Sequence, residues 1–405
     1  MTRTPVERRL RARLRAAAPP RSADAERRAW HVVRAAHAAR PPAASGRRGP
    51  RLALAAAVSA LAACALALSP AGARVGDWIG DVVSPSPAPR SSLALPAPGR
   101  LLVLADGSTW TVAEDGARRR VGAFSDATWS PGGLFLAAAR GRDLVALEPN
   151  GVVRWVRPTS GRVSAPRWSP DGYRIAYRSG SQLRVAVGDD SDDWLLAPSV
   201  DAVAPAWKPL GRPAEQVLAF ASHGRLRVVE VDTRRSLGVT PPEPAPREIW
   251  WAEGGERLLT VSEHAVRVHG PGGAPLRTIE LPTITGSAVR PGGRELAVAV
   301  TRGSLSSLLL VTLGRSGPPR RVLESSRPFE GLAWSTDGSR ILVGRPEADQ
   351  WLFVPARDSS GLESVRGIRA KFGAGSFPLP AGWCYAEPAN RSTNGQPPCL
   401  PGSAP

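Results

Sequence analysis

The sequence predicts an all-β fold, a propeller of seven blades, with a ring of six blades as the open alternative. Gly and Pro each number 41 among 405 residues, a density that is costly in helices and suits short strands joined by turns. A turn motif recurs at intervals near 40 residues, a period typical of propeller blades. Short runs of alternating apolar residues follow its copies, which indicates several strands in each repeat.

The turn motif has three clear copies and four degraded ones. The clear copies are residues 129–133 (WSPGG), 168–172 (WSPDG) and 334–338 (WSTDG). Degenerate copies begin at Trp207, Trp251 and Val289, so successive copies from 129 onward start 39, 39, 44, 38 and 45 residues apart. Residues 95–99 (LPAPG), 34 residues before Trp129, form the weakest copy. Because this copy and the one at Val289 lack the Trp, residues 95–124 could instead complete a six-bladed ring by pairing with the last blade.

The residues of the motif have separate physical roles. Pro presets the backbone dihedral of a tight turn, Asp bonds its own backbone, and Gly takes the left-handed position. The Trp ends the strand before the turn. A repeat array needs the same packing residue in every unit. The sequence therefore predicts packing between blades for Trp129, Trp168, Trp207, Trp251 and Trp334.

The motif and the strands after it resemble a known family. WSPDG followed by IAY (175–177) is similar to the WD40-like repeats of TolB-like β-propellers, and the resemblance covers about residues 91–372. It implies blades around a central channel, with the motif closing the innermost hairpin of each blade. The order of a basic tail, one apolar segment and a propeller also resembles the membrane-anchored type of high-GC bacteria. We assign residues 94–372 to the propeller.

An uncharged apolar segment, residues 52–69, precedes the repeats and predicts one transmembrane helix. It has 18 residues, close to the length that spans a bilayer. Arg47, Arg48 and Arg51 flank its start, so the positive-inside rule places the N-terminus in the cytoplasm and the propeller outside the cell membrane. Membrane lipid is thus a predicted partner of residues 52–69. Lipidation of Cys64, in a lipobox-like LAAC, is the alternative.

The net charge of +18 is concentrated before this segment. Residues 1–51 contain 14 Arg and three acidic residues, a net of +11 (14 − 3), which leaves +7 for the other 354 residues. We predict a helical cytoplasmic tail over 1–51, held on anionic headgroups or docking a partner, and a Pro/Ser-rich linker over 70–93. No nucleic-acid partner is predicted, because the charge belongs to the tail.

No catalytic or metal-binding pattern stands out, so the sequence predicts neither an enzyme nor a cofactor. There is no G-x-S-x-G motif, and the residues after 372 are too few for a hydrolase domain. His264 and His269 lie five apart, which on one strand puts them on opposite faces. The acidic run 189–193 (DDSDD) lacks the Gly and distal Glu of a calcium loop.

The C-terminal segment, residues 373–405, is Pro- and Gly-rich and predicts an irregular tail on the propeller surface. It contains Cys384 and Cys399, the two cysteines outside the apolar segment. In an oxidising compartment an even pair is expected to form a disulfide, with a disordered tail and free thiols as the alternative.

These observations favour a non-catalytic, membrane-anchored extracytoplasmic propeller that binds a protein, peptide or cell-envelope ligand. Loops around the channel mouth would carry the binding residues. The alternative is a transmembrane regulator of the anti-sigma kind, with the propeller as sensor and the Arg-rich tail as output. A third possibility is an enzyme that uses the propeller face.

Overall fold

The computed structural model describes residues 93–209, 215–357, 361–385 and 399–401. Seven antiparallel sheets follow one another around a ring, so the seven-bladed β-propeller predicted from the repeats is confirmed and the six-bladed alternative is wrong. The predicted tail helices, the apolar segment 52–69 and almost all of the linker lie outside the described residues. Within the described ranges, no helix is both long and apolar enough to cross a bilayer.

The strands are numbered along the chain. Blade 1 contains β1 (Arg100–Ala105), β2 (Ser108–Val112), β3 (Arg118–Gly122), β28 (Leu379–Cys384) and β29 (Cys399–Pro401). Blade 2 contains β4 (Asp126–Trp129), β5 (Leu136–Arg140), β6 (Asp143–Leu147) and β7 (Val153–Pro158). Blade 3 contains β8 (Val163–Trp168), β9 (Arg174–Ser179), β10 (Gln182–Val187) and β11 (Asp193–Ala197). Blade 4 contains β12 (Ala206–Trp207), β13 (Val217–Ser222), β14 (Arg225–Glu230) and β15 (Arg235–Val239).

The remaining blades repeat the pattern. Blade 5 contains β16 (Glu248–Ala252), β17 (Arg257–Val261), β18 (Ala265–His269) and β19 (Pro275–Glu280). Blade 6 contains β20 (Thr283–Val289), β21 (Glu295–Arg302), β22 (Leu305–Thr312) and β23 (Arg320–Ser325). Blade 7 contains β24 (Glu330–Trp334), β25 (Arg340–Arg345), β26 (Gln350–Pro355) and β27 (Glu363–Arg366). Helix α1 (Ile368–Phe372) joins blade 7 to β28, and single 3₁₀ turns occupy Glu253–Gly255 and Pro346–Ala348.

The order of strands within the blades defines two faces of the ring. In blades 2 to 7 the strands pair in chain order as an antiparallel meander. Turns between the first and second strands therefore lie on the same face as turns between the third and fourth, and the other face carries the links between blades. The turn motif joins the first two strands of a blade. We therefore call the face that carries these turns the motif face, and the face that carries the links between blades the link face.

Blade 1 closes the ring with strands from both ends of the described chain. Its inner strand is β28, which pairs with β1 so that Trp383 lies opposite Leu101. In blade 2 the motif Trp129 lies opposite Leu136 of the second strand in the same way. Trp383 therefore occupies the position of the motif Trp that residues 95–99 lack.

The expectation that residues 373–405 form an irregular tail is wrong for residues 379–384 and 399–401. Strand β28 was hidden in the sequence because Pro380 and Gly382 interrupt its apolar alternation. The ladder tolerates them because its register shifts between Leu102 and Val103, which is a bulge. The propeller consequently ends beyond the predicted limit at residue 372.

The cysteine pair lies where β28 meets β29. Cys384 and Cys399 are opposite each other in the ladder and are joined by a disulfide, with Cα atoms 4.0 Å apart. A Cβ at Gly133 would lie 2.7 Å from the Sγ of Cys384, so the motif turn of blade 2 needs a glycine against the bridge. The disulfide thus holds a fifth strand on the inner side of blade 1.

The hydrophobic core consists of layers between neighbouring sheets. The layer between blades 6 and 7 surrounds Trp334, Phe329 and Leu308, which are almost completely buried. The layer that joins blade 7 to blade 1 includes Trp383 and Trp351. Because every sheet contributes to two layers, each blade depends on both of its neighbours.

The role of Trp383 in ring closure can be measured. Trp383 is 0% exposed, so Trp383→Ala should lower the free energy of unfolding by about 3–5 kcal/mol, as expected for a large buried side chain. Urea denaturation followed by circular dichroism measures this change. The control is Tyr173→Ala, because Tyr173 is 69% exposed and its loss should cost less than about 0.5 kcal/mol. Equal losses would contradict the closure described above.

Candidate functional site

The central channel widens into a cavity of about 300 Å³ bordered mainly by blades 2 to 6. Its walls come from the inner strands and from the links that lead into them. Strand β29 narrows the channel on the side of blade 1, where Ala381 and Cys399 border the cavity. The extra strand therefore forms part of the cavity lining.

Blade 4 provides the room for this cavity, because its inner strand β12 has only two residues. Residues 202–205 arch along the cavity instead of pairing with β13. Pro205 lacks an N–H to donate to a ladder, which ends the strand there. Asp201 fixes the base of the arch, since its carboxylate accepts the N–H groups of His223 (3.1 Å) and Gly224 (3.2 Å).

The five tryptophans predicted to pack between blades end the inner strands of blades 2, 3, 4, 5 and 7. Trp207, Trp251 and Trp334 each donate the indole N–H to a backbone carbonyl of the preceding blade. The acceptors are Arg167 (2.9 Å), Ala206 (3.0 Å) and Ala288 (2.8 Å), respectively. In each case the acceptor immediately precedes the motif position of the preceding blade. The indole thus links two neighbouring inner strands.

Cations of the motif face reinforce these links. The residue after the motif position carries a positive charge over the tryptophan of the next blade in two cases. Lys208 lies 5.8 Å from the ring of Trp251, and Arg290 lies 5.3 Å from the ring of Trp334. Arg290 follows Val289, the motif position that has no Trp. This copy of the motif therefore still provides a cation over the Trp of the next blade.

Trp129 and Trp168 differ from the other three. Their indole N–H groups are buried and find no acceptor within the described residues, and the same holds for Nε of Arg178. All three side chains border the cavity. Burial also lowers the pKa of Arg178. Buried donors are costly without an acceptor, and these three atoms have almost no exposed surface, so they lie enclosed behind the cavity wall.

Two carboxylates border the cavity, Asp126 from blade 2 and Glu248 from blade 5. Asp126 accepts the N–H of Ala165 at 2.9 Å and lies 3.9 Å from Nη1 of Arg167. Burial raises the pKa of Asp126, and Arg167 opposes the increase. Ala165 has φ of 51°, a left-handed conformation that is unfavourable for a residue with a Cβ. The bond to Asp126 therefore holds a strained bulge at the channel.

Glu248 is the second carboxylate. It accepts hydrogen bonds from the indole of Trp250 (3.1 Å) and from the hydroxyl of Ser287 in blade 6. Burial raises the pKa of Glu248, against the opposing effects of Ser287, Trp250 and the positive charge of Arg247. Arg247 itself pairs with Glu263 at 3.0 Å. A protonated Glu248 would add another donor to the cavity wall.

Asp126 and Glu248 were not singled out from the sequence, although an alignment of the repeats could have found them. Each lies three residues before its motif Trp, in DATW (126–129) and EIWW (248–251). An acidic residue at this point of an inner strand is exceptional because the neighbouring blades have small or polar uncharged residues there. Arg178 could not have been found, since its strand gives no indication of facing the channel.

The other residues considered from the sequence do not form a site. In the acidic run, Asp190 pairs with Arg157 (2.6 Å) and Asp193 pairs with Arg184 (2.6 Å). His269 is buried in β18 beside the Thr260 hydroxyl (3.1 Å), whereas His264 lies in the turn before that strand. Among the described residues, no three His, Cys, Asp or Glu side chains form a group that could hold a metal ion.

The geometry defines the chain as a seven-bladed β-propeller with a cavity inside the ring. No protein-family model matches it, and no curated protein matches its sequence. Among solved structures, hydrazine synthase of Kuenenia stuttgartiensis aligns with a TM-score of 0.47 and 12% identity, over 57% of this chain and 76% of that chain. The β-propeller domain of Cps50 (Swd1) from Myceliophteria thermophila aligns with a TM-score of 0.48 and 14% identity, over 60% of this chain and 86% of that chain. Such likeness concerns the arrangement of the chain alone.

The protonation of Glu248 can be tested through stability. Because its pKa is raised in the folded state, the stability it contributes is greatest below the pKa of an unfolded Glu and falls as pH rises through the folded value. Glu248→Gln removes this loss, so the variant should be more stable than the wild type near about pH 8, with the difference shrinking toward about pH 4.

Urea unfolding at a series of pH values measures the difference. Glu280→Gln is the control, because Glu280 is exposed on β19 of the same blade and its variant should follow the wild type at every pH. A Glu248→Gln variant that is less stable than the wild type at high pH would contradict the raised pKa.

Proposed function

We propose that the protein is a non-catalytic binding propeller, anchored in a membrane by residues 52–69, with the propeller outside the cytoplasm. Its ligand is a protein, a peptide or a component of the cell envelope that enters the central cavity. The observation that carries the proposal is the cavity of about 300 Å³ inside the ring, whose lining includes more basic than acidic side chains. The charged lining residues are Arg167, Arg178, Arg247 and Arg290 against Asp126 and Glu248. A ligand with carbonyl or carboxylate groups accepts hydrogen bonds from guanidinium groups.

The non-catalytic part of the proposal is supported by the engagement of the cavity carboxylates. Asp126 is held by Ala165 and Arg167, and Glu248 is held by Trp250 and Ser287. A general base must reach a proton of the substrate, whereas these carboxylate oxygens already accept hydrogen bonds from residues that line or border the cavity. Their contacts join neighbouring blades, which is a structural role.

Photo-crosslinking tests the ligand site in the membrane-bound protein. A photoreactive amino acid at position Ala202, on the arch beside the cavity, should capture the ligand in intact cells, and mass spectrometry of the adduct identifies its chemical class. The same group at Leu276, 55% exposed on the outer strand of blade 5, is the control. Adducts of equal yield at both positions, or none at Ala202, would contradict the proposal.

A substitution in the cavity gives a second comparison. Arg178→Gln keeps much of the side-chain length and removes the charge, and it should reduce the adduct at Ala202 about tenfold, the effect of losing a hydrogen bond from a charged group. Arg154→Gln is the matched control, because Arg154 lies on the outer strand of blade 2 and is 50% exposed. It should leave the yield unchanged. Equal effects of the two substitutions would place the ligand elsewhere.

A further inference from the structure

Six basic residues lie along the outer rim where blade 1 meets blade 7, and we call them the rim patch. They are Arg118, Arg119 and Arg120 of β3, Arg366 at the end of β27, and Arg369 and Lys371 of α1. The three arginines of β3 are consecutive and all exposed. Since neighbouring residues of a strand point to opposite sides, this outermost strand is positively charged on both sides.

Contacts bring β3 and α1 together. The guanidinium of Arg118 lies 6.0 Å from the ring of Phe372 in α1. Phe372 also packs edge-on against Trp110 of β2, with ring centroids 5.7 Å apart. Arg120 donates to the hydroxyl of Ser108, at 3.0 and 3.2 Å. The basic side chains are thus held by aromatic and polar neighbours on one rim.

Acidic residues balance only part of this charge. Asp349 lies 3.6 Å from Arg369, and Glu114 and Asp115 precede β3 in the chain. Asp115 accepts the N–H of Ala117 at 2.9 Å. Glu363, also in β27, pairs with Arg340 at 3.1 Å. Asp106 is a fourth acid at this junction, since its carboxylate accepts the N–H groups of Gly375 and Ser376 after α1. Against Asp106, Asp349, Glu114 and Asp115, the six cations leave a local charge of +2 (6 − 4).

The chain enters the propeller beside the rim patch. Leu93 and Leu95 are buried in the same core layer as Ile368 and Phe372 of α1, and the N–H of Leu95 bonds to the carbonyl of Glu114 at 2.9 Å. The described part of the chain therefore begins at this junction. If the apolar segment ends at residue 69, 23 residues (70–92) lie between membrane and propeller. A random coil of that length has a mean span of roughly 27 Å.

We propose that the rim patch docks on the anionic phospholipid headgroups of the membrane that holds the N-terminal segment. The inference rests on the proposed function, because the anchor makes this contact intramolecular. A short tether gives a high effective concentration, so a weak contact suffices. Each basic residue near an anionic surface strengthens the association about fivefold. Docking through this rim would fix the orientation of the channel relative to the membrane.

The test uses the full chain reconstituted in vesicles of phosphatidylcholine alone or with about 30% phosphatidylglycerol, an anionic content that gives a strong surface potential. Hydrogen exchange measured by mass spectrometry should be several-fold slower in β3 and α1 on the anionic vesicles. The protection should disappear in about 0.5 M salt, where the screening length is only a few Å. It should also disappear in the triple variant Arg118→Gln, Arg119→Gln, Arg120→Gln.

A matched triple variant removes three arginines on the far side of the ring. Arg227, Arg234 and Arg235 of blade 4 are all exposed, and their replacement by Gln should leave the protection of β3 intact. Exchange that is unchanged by anionic lipid would overturn the proposal and leave the β3 arginines as charges that prevent edge-to-edge strand pairing. Protection spread evenly over all blades would also overturn it.

The anchor and the docking surface can fail independently. Flotation with pure phosphatidylcholine vesicles, resistant to alkaline carbonate, tests the anchor and does not involve the rim patch. If the chain fails to float with these vesicles but β3 and α1 are still protected on anionic ones, and the β3 triple variant loses that protection, the anchor is wrong and the docking surface is supported. If it floats with both and shows no lipid-dependent protection, the anchor stands and the docking surface is rejected.

Discussion

Closure of the ring is the constraint on which the rest of the structure depends. Each sheet buries apolar residues on both faces, so the faces of blades 2 and 7 are covered only if blade 1 stands between them. Blade 1 is built from two segments that are far apart in sequence. Its inner strand β28 lies near the C-terminal end of the described residues and pairs with β1 at the N-terminal end. In the other blades a turn of the chain joins the inner strand to the second strand. In blade 1 the ladder between β28 and β1 and the burial of Trp383 hold these two strands together.

The inner strands are further linked by the tryptophans of the turn motif. An indole at the end of one inner strand donates to the backbone of the strand before it, as in Trp334 to Ala288. This bond satisfies a buried N–H and sets the distance between two blades at once. Where the motif lost its Trp, at Val289, Arg290 still covers the ring of Trp334. The repeat therefore tolerates degraded copies because each link depends on two adjacent blades.

The channel wall departs from this regularity at the points that carry charge. Asp126 holds the left-handed Ala165 at a bulge of the next blade, and Glu248 reaches Ser287 across a blade boundary. Blade 4 gives up most of its inner strand to the arch over residues 202–205. Departures from local strand rules of this kind are frequent where a protein binds its ligand.

The sequence predicted seven blades and left six open, and the pairing of β28 with β1 decided between them. Blade order and the positions of the motif tryptophans followed from the sequence, because they depend on local features that recur: a turn at each motif and apolar alternation after it. The limits of the propeller did not, since the pairing of β28 with β1 joins residues nearly 300 positions apart and its Pro380 and Gly382 hide the strand pattern. The cavity was equally inaccessible. Asp126, Arg178 and Glu248 come from different strands, and only the closed ring brings these residues around one space. The sequence alone determined the repeat, and the tertiary structure decided which residues face the channel, because that depends on contacts between blades.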